Sequence, residues 1–236
     1  LGYVRGMTDL LSATTPLTVL SAADIGSWIR LAAQAVTDHT EELTKLDAAI
    51  GDADHGTNMR RGLAAVVTAL DEGEPDTPAA VLKKVAMTLV SQVGGASGPL
   101  YGTFFLRMST AVDGVTELDA ATLADAVEAG VDGIRARGRG ETGEKTMLDA
   151  WCPALSALRE HPSSLEEATA VAAQAAAVGR EDTRGMTATK GRASYLGERS
   201  VGHLDPGAAS TALILRALAQ TVHDGHPGCD PGQAVR

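Results

Sequence analysis

Hydrophobic residues recur along this chain at three- and four-residue intervals and almost never alternate with polar ones. That spacing puts an apolar stripe on one face of a helix, whereas alternation would mark a strand. Eight segments are predicted as helices. The first, residues 22–37, aligns Ile25, Trp28, Ile29, Ala32 and Val36. The second follows Thr57 with Met59, Leu63, Val66, Val67 and Leu70. The third opens on Thr77 as N-cap with Pro78 at the first helical position, a favoured pair. It runs through Leu82, Val85 and Leu89 to Ser91. The fourth starts at Ser97 or Gly98 and presents Leu100, Phe104, Phe105 and Met108. The fifth, after Asp119, carries Leu123, Val127, Val131 and Ile134. The sixth begins near Thr146 and aligns Leu148, Trp151, Leu155 and Leu158. The seventh opens on a capping-box pattern at residues 163–166 and runs to Val178. The eighth has Asp205 as N-cap and Pro206 after it, then Leu213, Ile214, Ala217 and Leu218. No segment reads firmly as a strand. The fold class is therefore all-α, and short connections predict antiparallel neighbours in an up-and-down bundle or barrel.

Composition supports this reading. Aromatic residues make up only 3% of 236 residues while alanine is abundant, which suits close-packed helices better than sheets. A net charge of −10 argues against a general nucleic-acid or anionic-membrane surface, since both need cationic patches. It leaves a nucleotide site open, because a bound Mg²⁺ reverses the local sign. Cys152 and Cys229 fit neither a disulfide framework nor a zinc pattern, and Cys152 is read as a core residue. No apolar run reaches the roughly 20 residues of a membrane span, and the first residues lack the usual signal-peptide core. The expected location is the cytoplasm. The expected organisation is an extension of little order at residues 1–20, one helical domain at 21–224 and a flexible tail at 225–236.

Functional groups not spent on packing collect at helix ends and long loops. The stretch from Leu46 to Met59 places Asp47, Asp52 and Asp54 within eight residues. Hard oxygen ligands at that density suit Mg²⁺, and an acidic solvated turn with Asp54 capping a helix is the plain alternative. From Gly94 to Gly102, glycines and Ser97 precede a helix start, which fits either close approach to an anion or a tight helix crossing. The stretch from Gly138 to Asp149 resembles a P-loop only superficially. Glu144 separates Gly143 from Lys145, and no strand precedes it, so it is read as a flexible loop with Lys145 or Thr146 facing a ligand. Between Ala188 and Gly207 a long connection gathers Lys190, Arg192 and Arg199. Cations in such a loop suit phosphate clamping, and its length exceeds an ordinary helix–helix turn.

In this order the four stretches resemble the nucleotide-binding L subunit of dihydroxyacetone kinases, over about residues 21–222. The resemblance rests on Leu-Asp-Ala-Ala-Ile-Gly-Asp-Ala-Asp-His-Gly-Thr-Asn-Met, Gly-Gly-Ala-Ser-Gly-Pro-Leu-Tyr-Gly, Lys-Thr-Met-Leu-Asp-Ala-Trp and Thr-Lys-Gly-Arg-Ala-Ser-Tyr-Leu-Gly-Glu-Arg-Ser, then Asp-Pro-Gly-Ala. It implies an eight-helix antiparallel barrel with ADP or ATP at one end. Asp47, Asp52 and Asp54 would hold two Mg²⁺ ions. His55, Gly56, Thr57 and Asn58 would line the nucleotide, with Ala96 and Ser97 at the phosphates. Gly138 and Met147 would border base and sugar, Arg192 would meet the nucleotide, and Asp205, Pro206 and Gly207 would close the pocket. Ala53 departs from the glycine common there. The resemblance further implies a partner K subunit that carries the small ketose, and no residue of this chain offers itself as base for the sugar hydroxyl. A phosphohistidine protein of the phosphotransferase system would recharge bound ADP, the favoured route over exchange with free ATP. A transcription regulator is a further partner of such subunits in some systems.

Overall fold

The computed structural model describes residues 15–73 and 75–225. Among them lie nine α-helices and no β-strand beyond one isolated bridge between Leu20 and Leu118. They are α1 (Ala22–Asp38), α2 (Thr40–Ile50), α3 (His55–Asp71), α4 (Pro78–Gln92), α5 (Ser97–Ala111), α6 (Ala120–Gly138), α7 (Leu148–Glu160), α8 (Leu165–Asp182) and α9 (Pro206–Asp224). Two 3-10 segments, Thr183–Gly185 and Arg192–Ser200, lie in the connection from α8 to α9.

Eight helices close into a ring. From α3 to α9 each packs on the next, α9 returns to α1, and α1 meets α3. The short helix α2 sits outside that sequence, against α3 and α9. The interior is filled mainly by Ala, Leu, Val and Ile side chains, with a chain of aromatic rings in contact across the ring. Trp28 of α1 meets Phe105 of α5 at 5.9 Å, Phe105 meets Phe104 edge-on at 5.2 Å, and Phe104 lies 4.1 Å from Trp151 of α7. All four are essentially inaccessible to solvent, so the barrel is a packed core and not a channel. The Trp28 indole N–H donates to Ile214 O at 2.9 Å, whereas the buried N–H of Trp151 has no acceptor.

The helix starts follow from local chemistry. Thr77, Asp119 and Asp205 each accept the N–H three residues on, from Ala80, Thr122 and Ala208. Ser21 and Asp24 form a reciprocal capping box at α1.

Three expectations need correction. The stretch after Thr40 is helical, so Asp47 stands on the last turn of α2 and not in a loop. Gly138 is the last residue of α6 and not the first of a loop. The domain also begins before Ser21. Leu17 N–H donates to Val222 O at 2.9 Å, and Leu20 is fully buried and paired with Leu118. These apolar residues cover the end of the barrel, so residues 15–20 belong to it. Residues 1–14 and 226–236, expected as a loose extension and tail, lie outside the described residues. No described helix is long and apolar enough to cross a membrane.

Candidate nucleotide and metal site

Up-and-down order sends alternate helix starts to the same end of a ring. The starts of α3, α5, α7 and α9 meet in one cleft of about 180 Å³. Each brings unpaired first-turn N–H groups and the positive end of a helix dipole, so the cleft is built for anions before any side chain is counted.

The acids stand at its edge. One oxygen each from Asp47, Asp52 and Asp54 lies within 4.8 Å of the others. Asp47 is buried, and its Oδ2 accepts N–H from Asp54 at 2.8 Å and His55 at 3.1 Å. It thereby caps α3 from a neighbouring helix, while Asp54 at the N-cap position makes no side-chain cap of its own. The other oxygen of Asp47 makes no hydrogen bond and is directed by the fixed first one. The donor set is all hard oxygen, which fits Mg²⁺ and gives zinc or copper no soft ligand. Between these acids Ala53 takes a left-handed φ of 63°, the conformation that glycine occupies without strain. Arg192 closes the group from the long connection, its Nη2 3.0 Å from Asp52 Oδ2.

Behind the acids runs a buried hydroxyl network. His55 lies between Ser97 Oγ at 3.0 Å and Ser210 Oγ at 2.9 Å, and burial lowers its pKa against the opposing pull of Asp47 and Asp54. Tyr101 Oη meets Ser210 Oγ at 2.8 Å and Thr211 Oγ1 at 2.9 Å and donates to Gly207 O at 3.2 Å; burial pushes its pKa up to about 12. The network ties the starts of α3, α5 and α9 together through groups that stay uncharged near neutrality. Asp205 sits at the far wall, capping α9 through Ala208 N–H at 2.7 Å. Burial raises its pKa to about 7; the Ala208 N–H and Lys145 oppose this, and Asp149 and Asp47 add to it.

An apolar pocket of about 290 Å³ adjoins the cleft and shares Ala96, Leu100, Thr146, Met147, Lys190 and Gly191 with it. Pro99, Ile134 and Leu148 supply its remaining apolar walls, and Gly138 and Gly140 border it. A charged cleft continuing into an apolar slot matches the two halves of a nucleotide.

Of the residues singled out above, Asp47, Asp52, Asp54, His55, Ala96, Ser97, Met147, Arg192, Asp205, Pro206 and Gly207 line the cleft, and Gly138 lines the adjoining pocket. Gly56, Thr57 and Asn58 line neither. A Cβ on Gly56 would stand 2.3 Å from Thr40 O, so that glycine is spent on the contact of α3 with α2. Thr57 is exposed and its hydroxyl donates to Asp54 O, while Asn58 is buried near Gly94 and accepts from Arg61. Lys145 also lines the cleft, without offering it a free charge. Its ammonium is buried on backbone carbonyls, and Thr146 beside it reaches the cleft. Residue spacing gave no sign of the Ser210 and Tyr101 network, because hydroxyls on a helix face look the same whether buried or solvated. Asp149 was also missed. It accepts Gly143 N–H at 2.5 Å and Thr146 N–H at 2.7 Å and so holds the loop before α7.

The DAK2 domain model matches residues 49–220. The chain is 50% identical over 194 residues to "PEP-dependent dihydroxyacetone kinase 1, ADP-binding subunit DhaL" of Listeria innocua, covering 82% of this chain and 93% of that protein. It is 44% identical over 207 residues to the corresponding subunit of Escherichia coli strain K12, covering 85% and 97%. Human "Triokinase/FMN cyclase" is 35% identical over 77% of this chain, which spans 32% of that longer protein. The dihydroxyacetone kinase of C. freundii, solved native and with AMP-PNP and Mg²⁺, has the same fold at TM-scores of 0.68 and 0.69 and identities of 24% and 23%. Those alignments cover 93% of this chain, which spans under two fifths of the solved chains. With the domain matched over most of its length and relatives of similar size at up to half identity, the chain belongs to the DAK2 domain family, alongside the ADP-binding subunits of dihydroxyacetone kinases.

Proposed function

We propose that this chain is the ADP- or ATP-binding subunit of a dihydroxyacetone kinase, active with a K subunit that carries the ketose. The observation that carries the reading is the cluster of Asp47, Asp52 and Asp54 at a cleft into which four helix starts point. Asp47, Asp52 and Asp54 would hold Mg²⁺, which when bound neutralises phosphate charge. Two ions suit the site better than one, since three carboxylates beside a polyphosphate outweigh a single divalent charge. The starts of α3 and α5 orient the phosphates, with His55 and Ser97 at the cleft and Gly56, Thr57 and Asn58 behind them in the first turn of α3. Met147 and Gly138 border the slot for base and sugar, and Asp205, Pro206 and Gly207 form the opposite wall. Arg192 reaches the acids from the long connection and is placed to meet phosphate.

Phosphoryl transfer asks a protein mainly for position and charge, and this cleft supplies both. It offers no obvious base for a sugar hydroxyl, which agrees with an acceptor held on a separate subunit. The relatives at 36–50% identity bear PEP- or PTS-dependent names, while the single-chain triokinases stand at 34–36%. This favours ADP as a retained coenzyme, recharged by a phosphohistidine protein in the cytoplasm.

Mass analysis of the purified chain for bound nucleotide, followed by exchange against labelled ATP, tests the route: retained, slowly exchanging ADP is expected. Asp52→Ala should abolish Mg²⁺-dependent ADP retention. Retention at wild-type strength would sink the metal assignment.

A further inference from the structure

Lys145 is one of the largest fully buried side chains of the protein, 1% exposed, and the proposed chemistry makes no use of it. Its ammonium has three N–H donors, and all three are spent on backbone carbonyls. They go to Thr183 O at 2.5 Å, Met186 O at 3.2 Å and His203 O at 2.5 Å. Thr183 and Met186 lie where the long connection leaves α8, and His203 lies where it returns to α9. The two limbs also meet directly, Gly202 N–H donating to Arg184 O at 2.8 Å. Asp205 N–H donates to Thr183 Oγ1 at 3.0 Å. The backbone of Lys145 is left-handed at φ 63°, a conformation a side-chain-bearing residue holds only when its surroundings require it. The ammonium lies near the buried carboxyl groups of Asp205 and Asp149, and Lys145 lines the cleft together with the next two residues, Thr146 and Met147.

We infer that Lys145 is a positioning residue, a pin that fastens both limbs of the α8–α9 connection to the loop before α7. The inference rests on the reading of the cleft as a nucleotide site. By fixing the limbs at 183–186 and 203, the pin sets where Asp205 stands against Met147. It also sets the base from which Arg192 reaches Asp52. Beyond the pinned stem the arm is held by Ala188 N–H to Ser200 Oγ, Thr189 N–H to Glu144 O, the half-buried Lys190–Glu144 and exposed Arg192–Asp52 pairs, and a small apolar contact of Ala188, Ala193 and Leu196 with Ile50 of α2. That contact is small, so order in the arm leans on the stem as well. Removal of the ammonium would leave Met186 O and His203 O without this donor, Thr183 O with only the Met186 N–H, and buried Asp205 without the opposing charge of Lys145.

The test uses the full chain, with Mg-ADP as probe. In Lys145→Met, calorimetry should show Mg-ADP bound at least tenfold more weakly. Trypsin should cut after Arg192 at least tenfold faster, while the near-ultraviolet signature of Trp28 and Trp151 is kept. Lys145→Arg should lose three- to fivefold in both, because a planar fork cannot converge on three carbonyls arranged for a tetrahedral ammonium. Mg-ADP affinity within twofold of wild type in Lys145→Met, or cutting at the wild-type rate, overturns the pin. If Lys145→Met does not fold, Lys145→Arg decides alone, and wild-type behaviour there overturns it. Failure of the wild type itself to bind Mg-ADP would instead remove the nucleotide reading, leaving the cutting rates to judge the pin.

Discussion

At the scale of single residues, the site is held by charges whose burial is offset locally. Asp205 shows the cost most clearly. Its pKa, raised by burial to about 7, means that the native state keeps a proton the unfolded chain has already released. Such a group makes stability fall as pH rises from about 4 to about 7, and beyond that its effect is constant. Asp205→Asn keeps an acceptor for Ala208 N–H and cannot ionise. Without Mg²⁺ or nucleotide, the variant should therefore be more stable than wild type at pH 8, by a few kcal/mol as an order of magnitude, and similar at pH 4. Urea unfolding at the two values checks this, and equal pH slopes in both proteins would contradict it. Ala53 is a milder case. At φ 63° its methyl costs about 1 kcal/mol relative to a relaxed backbone, so Ala53→Gly should be tolerated there.

At the scale of elements, α2 is the piece whose placement matters most. It carries Asp47 to the start of α3, and the close approach of the two helices requires a glycine at position 56. A Cβ there would lie 2.3 Å from Thr40 O and 2.8 Å from Thr44 N, both backbone atoms that cannot swing aside. Gly56→Ala should cost about 1–3 kcal/mol, the usual range for overpacking. A calorimetric melt should show the loss, and Mg²⁺-dependent ADP retention should weaken with it, because Asp47 moves with α2. Loss of stability with unchanged retention would show that Asp47 keeps its place by other means. The exposed Arg192–Asp52 pair is of a different kind. Its arginine is two-thirds exposed, so it contributes little to stability and acts by position.

At the scale of the whole molecule, closing the ring separates stability from function. The contact from Trp28 through Phe105 and Phe104 to Trp151 joins α1, α5 and α7 across the interior, away from the cleft. Phe104→Ala should cost about 3–5 kcal/mol by emptying that centre, measured by urea unfolding, while the folded fraction binds Mg-ADP as wild type does. Ligand should act on the whole ring in return. At a hundredfold excess over its Kd, a ligand bound only by the native state adds about 2.7 kcal/mol. For a domain of this length that raises Tm by roughly 5–10 °C, which a thermal melt with and without Mg-ADP would register. A Tm indifferent to Mg-ADP would leave the glycine-rich helix starts as packing devices only.

Much of this was legible in the chain itself. The helical period, the caps at Thr77, Asp119 and Asp205, and the glycine-rich helix starts are local features, governed by residues a few positions apart. They determine which segments are helices and where anions would be welcome. Helix α2 escaped that reading because Asp47 stands on its buried face, where a carboxylate breaks the apolar stripe between Leu43 and Ile50. Gly56 and Lys145 escaped it for a related reason. A glycine at a helix start and a lysine in a glycine-rich loop look like ligand-binding residues, and only their surroundings show that one is spent on α2 and the other on three carbonyls. Sequence alone determined every described α-helix but α2, their order and the chemistry at their ends. Tertiary structure decided which of those ends meet and which charges are buried. Closure of the ring and the burial of charge depend on residues far apart in the chain, and no local pattern records them.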